Sequence, residues 1–72
     1  MKYAVVIERG PNGYGAHVID LPGCVAAAAT EGEVRALIRE AVAFHVEALR
    51  EHGQAVPAPS TLVEYVEVPT AA

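Results

Sequence analysis

Seventy-two residues carrying nine acidic and five basic side chains, for a formal charge of −4, argue against a nucleic-acid surface, which needs clustered Lys and Arg. One domain is the most this length holds, and it hides only about 60% of its unfolded surface, so its own core is thin. With the single Cys24 no intrachain disulfide forms, and His17, His45 and His52 lack zinc spacing, which leaves self-association as the stabilising device.

Met1-Lys2 leads straight into an alternating segment with no small-residue cleavage site, and no apolar stretch approaches the ~20 residues of a membrane span. A cytoplasmic protein with no membrane contact is expected. Lys2 to Glu8 reads as the first strand: Tyr3, Val5 and Ile7 point one way, and Ala4, Val6 and Glu8 the other. Both faces are largely apolar, which predicts an interior strand. Arg9-Gly10-Pro11-Asn12-Gly13 supplies a turn, and Tyr14 to Ile19 returns as the hairpin partner. Pro22 and Gly23 make the next break, and Cys24 to Ala29 follows as a third strand by context, since alanine is a poor strand former.

Thr30-Glu31-Gly32-Glu33 has the form of a capping box, in which Thr30 accepts from the Glu33 amide. Val34, Leu37, Ile38, Ala41, Ala48 and Leu49 then recur at helical steps, and Gly53 is placed to end the helix. Ala55 to Ser60 is an extended linker with proline at alternate positions. Leu62 to Val68, rich in Val and carrying Tyr65, reads as a fourth strand; Pro69 ends it, and the last residues up to Ala72 are expected to fray.

The order β-β-β-α-β predicts one α+β domain over residues 1–72. A meander of three strands, a helix of ~20 residues and a right-handed crossover set the fourth strand beside the first, in sheet order 3-2-1-4 with the helix on one face. Glu64, Glu67 and Pro69 discourage further pairing at the fourth strand. Val25, Ala26, Ala27, Ala28 and Ala29 carry no charge and little bulk, so this edge is expected to pair with a second copy in a homo-oligomer, a dimer or a tetramer.

The Met-Lys-Tyr opening, a glycine-containing hairpin, Tyr14-Gly15-Ala16, Asp20-Leu21-Pro22-Gly23-Cys24, the Thr-capped helix and Pro57-Ala58-Pro59-Ser60 together resemble the HicB antitoxin family over nearly the whole chain. The resemblance implies a partial ribonuclease-H-like fold. It also implies inhibition of a small basic HicA-type mRNA-cleaving toxin in a type II toxin–antitoxin pair. There is no room before Ala72 for a C-terminal DNA-binding module, so no DNA autoregulation is expected.

Enzymatic readings are weak. Nuclease chemistry on such a fold needs several carboxylates around two metal ions, and Asp20 is the one aspartate present; Glu8, Glu64 and Glu67 are better read as charged strand ends. Neither a cofactor nor a metal is expected. Cys24 is a small hydrophobe with no activating base in sight, and His45 reads as a half-buried imidazole on the helix stripe. Tyr14, Asp20, Leu21, Pro22 and Gly23 are candidates for contact with a partner protein. For the turn residues the alternative is structural, with Pro22 and Gly23 turning the chain and Leu21 filling the core. An oligomeric module without a toxin is the second functional reading.

Overall fold

Period-two alternation and turn chemistry produce three strands in the computed structural model, which describes residues 1–70. They are β1 (Val5–Gly10), β2 (Gly13–Val18) and β3 (Val25–Ala28), and a single helix, α1 (Glu31–Glu51), follows. The sheet is antiparallel throughout, in the order β1-β2-β3. Val5 stands opposite Val18, Ile7 opposite Ala16, and Ala16 in turn opposite Ala26. That register puts Val5, Ile7, Ala16, Val18, Ala26 and Ala28 on one face, where they pack with the helix.

The helix begins where its cap predicts. The Glu33 N–H donates to Thr30 Oγ1 at 3.2 Å, and the Thr30 hydroxyl donates to Glu33 Oε1 at 2.9 Å. Glu31 and Glu33 sit in the first turn and Arg50 in the last, each with the sign that the helix dipole favours. At the far end Gly53, at φ 67°, closes a Schellman motif: its N–H donates to the Arg50 carbonyl (3.1 Å), and the Gln54 N–H donates to that of Leu49 (2.9 Å).

Val34, Ile38 and Val46 are the helix residues buried against the sheet, and Leu21 and Cys24 fill the core from the loop after β2. Because β3 offers only methyl groups and Val25, α1 settles over β2 and β3 and hardly reaches β1. None of the helices among the described residues is long and apolar enough to cross a membrane.

Three expectations are corrected. The first turn shrinks to Pro11-Asn12, because Arg9 and Gly10 continue the ladder opposite Tyr14 and Gly13. Strand β1 is an edge, not an interior strand, since among the described residues only β2 lies beside it. The fourth strand does not form: residues 54–70 make no helix or ladder, so the order 3-2-1-4 is reduced to the three strands 3-2-1. Strand pattern without a neighbour has no stability of its own, and no edge of the same sheet receives Leu62 to Val68. The fraying expected at Ala71 and Ala72 lies outside the described residues.

Candidate functional site

Helix α1 carries two apolar lines. One, through Val34, Ile38 and Val46, is spent in the core. The other runs through Leu37, Ala41, Phe44 and Ala48 at steps of four, three and four, which share one helix face. This second line stands beside the outer edge of β3. Together they form an open groove of about 530 Å³ lined by Val25, Ala27, Leu37, Glu40, Ala41 and Phe44.

Phe44 is 77% exposed and Val25 65% exposed, a large apolar area for a surface to leave wet. The rim has one sign. Glu40 borders the groove, and Glu47 and Glu51 flank Phe44 one and two turns further on, with no basic residue lining either hollow. On its outer side β3 has no pairing strand among the described residues, so backbone groups there are open to strand addition. An apolar centre, a free edge and three carboxylates make a surface suited to a basic protein.

The loop singled out in the sequence is divided by the structure. Leu21 is fully buried, 0% exposed, which makes it a core plug and removes its side chain from any partner contact. The loop is held by Leu21 N–H to the Val18 carbonyl, Cys24 N–H to that of Leu21, and Val18 N–H to that of Cys24. Pro22 and Gly23 are exposed, and Tyr14 is half-buried opposite Ala28.

Asp20 is occupied by its own chain. The backbone N–H groups of Ser60 and Thr61 both donate to Oδ2 at 2.9 Å, and their hydroxyls donate to Oδ1 at 3.3 and 2.8 Å. A second tie lies close by, from the Tyr3 hydroxyl to the Pro57 carbonyl at 2.5 Å. Thr61, through its N–H and then its hydroxyl, holds the Asp20 carboxyl below its usual range; loss of solvation opposes this, and Ser60 adds to it.

A depressed folded-state value means that the clasp stabilises above the unfolded carboxyl's value, about 3.9, and is lost as pH falls through the folded one. The Ser60 and Thr61 amide resonances should therefore shift below about pH 4, with the β2 amides unmoved. Asp20→Ala should show the released positions at every pH. An acid-insensitive pair of amides would count against the clasp.

Glu64 and Glu67 do not approach Glu8 across a ladder, because the fourth strand is absent. Among the described residues no three His, Cys, Asp or Glu side chains gather as a metal site. Burial pushes the Cys24 thiol up, away from a reactive thiolate. His45 is half-buried on α1, His17 exposed on β2. Sequence reasoning passed over Phe44, although its spacing from Leu37 (seven residues) and Ala41 (three) was there to find.

A family model described as "HicB_like antitoxin of bacterial toxin-antitoxin system" matches residues 3–72. An uncharacterized 14.9 kDa protein in the rep-hol intergenic region of Haemophilus phage HP1 is 33% identical over 69 residues, 96% of this chain and 52% of the phage protein. The chain thus spans about half the length of that relative. The UPF0150 protein Ta0767 of Thermoplasma acidophilum is 36% identical over 58 residues, covering 79% of this chain and 84% of its own length.

Proposed function

The chain belongs to the HicB-like antitoxin family of bacterial toxin–antitoxin systems, and from that premise we propose that it binds and neutralises a small basic mRNA-cleaving toxin of HicA type in the cytoplasm. The observation that carries this reading is the Phe44 face, apolar at its centre and bordered by Glu40, Glu47 and Glu51. A toxin that cleaves RNA needs a cationic surface to hold phosphates. The antitoxin offers carboxylates in their place, with Phe44 as an aromatic anchor. Opposite charge speeds encounter, and apolar burial holds the complex once formed.

Val25 to Ala29, expected as an edge for self-association, does border this face. Pairing two copies there would bring two sets of glutamates together, so the same edge favours an unlike, basic chain. Pro22 and Gly23, with Tyr14, remain proposed as outlying contacts.

The test is calorimetric titration with a small basic HicA-type ribonuclease, sought first in the reading frames adjacent to this gene. Phe44→Arg should weaken binding by roughly 30-fold or more, the loss of an anchor residue compounded by like charge. Far-UV circular dichroism should stay unchanged, because Phe44 lies outside the core. Affinity unaffected by Phe44→Arg, or no inhibition of RNA cleavage by the parent chain, would overturn the assignment.

A further inference from the structure

Residues 62–68, Leu-Val-Glu-Tyr-Val-Glu-Val, have the composition of a strand and none of its bonds. Leu62 and Tyr65 are each 94% exposed, and Val63, Val66 and Val68 are exposed beside them. The segment does not fold back. The Asp20 clasp fixes Ser60 and Thr61 to the body, and residues 62–70 are exposed to solvent. The molecule measures 56 Å along its longest axis, whereas a helix of 21 residues accounts for about 31 Å of that.

A vacancy of matching character lies on the body. The outer edge of β1 is unpaired, and α1 covers β2 and β3 instead. The trough this leaves is lined by Tyr3, Val5, Ile38, Val42 and Arg39, and continues past Val46 to Arg50. Arg39 is the charged residue at its Val5–Ile38 end, Glu47 and Arg50 line the far end, and neither arginine is ion-paired among the described residues, where Arg35 bonds Glu31 instead. The departing segment carries five apolar side chains and two glutamates, Glu64 and Glu67, with no basic residue. With two arginines to one glutamate the trough keeps a positive balance, which an acidic apolar strand fits.

We propose that Leu62–Val68 of one copy adds as a strand to the outer edge of β1 in a second copy and covers the Arg39–Arg50 trough, reciprocally, in a two-fold strand-exchanged dimer. The exchange supplies each sheet with a fourth strand from the other chain, and buries on both copies the surface that one copy leaves wet. It does not rest on the toxin reading, because Tyr3, Val5, Arg39 and Val42 line the trough and not the Phe44 face, and Glu47 alone is common to the two.

Sedimentation and light scattering of the full chain at micromolar concentration should give a dimer. Val66→Asp should raise its dissociation constant by roughly 30-fold or more, through an unpaired carboxylate in an apolar contact. The helical circular dichroism of the variant should stay that of the parent, since Val66 is exposed in the single copy, and only the strand signal of the exchanged segment should fall. Chains bearing Val66→Cys mixed with chains bearing Val42→Cys should give a cross-linked heterodimer on mild oxidation, with Cys24 buried and silent. A monomeric parent, a dimer indifferent to Val66→Asp, or a Val42→Cys/Val66→Cys double variant that closes within one chain would each overturn the exchange. A monomer that still binds toxin would do so while leaving the proposed function standing.

Discussion

Leu21→Ala is expected to destabilise the domain by about 3 kcal/mol and to lower its Tm by at least ~10 °C. Leu21 is one of two fully buried large side chains, the other being Val34. It enters the core from a loop that three backbone hydrogen bonds hold in place, so its neighbours cannot follow a shortened side chain inward. The cost then has both parts, lost transfer free energy and an unfilled cavity. In a domain of this size such a loss is a large share of a total stability of roughly 5–15 kcal/mol. Denaturant unfolding followed by circular dichroism measures it. A loss below about 1 kcal/mol would mean that the loop collapses into the space, contrary to its bonded geometry.

Gly13→Ala is expected to cost about 2–3 kcal/mol by a different route. Gly13 opens β2 at φ 149°, a backbone conformation that side chains rarely adopt. A Cβ there would stand 2.5 Å from the Ala28 carbonyl oxygen and 3.4 Å from the Ala29 Cα, both main-chain atoms. Relief requires β3 to move off β2 near the Tyr14–Ala28 pair. Gly15→Ala is the matched control: it lies in the same strand and its Cβ would meet nothing within 4 Å. Equal losses for the two variants would show that strand propensity, and not the close approach of β3, sets the cost.

Local chemistry made most of the fold legible. Alternation found the first two strands, and Thr30 and Gly53 marked the helix termini, because each signal lies within a few residues of what it specifies. The fourth strand was misplaced because pairing is a non-local property: Leu62 to Val68 has the right residues, but nothing in them names the edge that takes them. The Asp20 clasp was not legible for the same reason, since its partners Ser60 and Thr61 stand some forty residues away. Phe44 does not stand out in the sequence because one apolar stripe suffices to explain the helix, and its exposure shows only in three dimensions. Leu21 was left between core and contact by the sequence; its complete burial decides for the core.

The division of α1 into an inner and an outer apolar line has a bearing on divergence. The residues proposed to choose a partner sit where the chain does not rely on them to collapse, so Phe44, Glu40, Glu47 and Glu51 are free to drift without threatening the architecture. Paralogues could therefore retain one scaffold while acquiring mutually exclusive targets, and several such pairs could coexist in one cell without cross-talk.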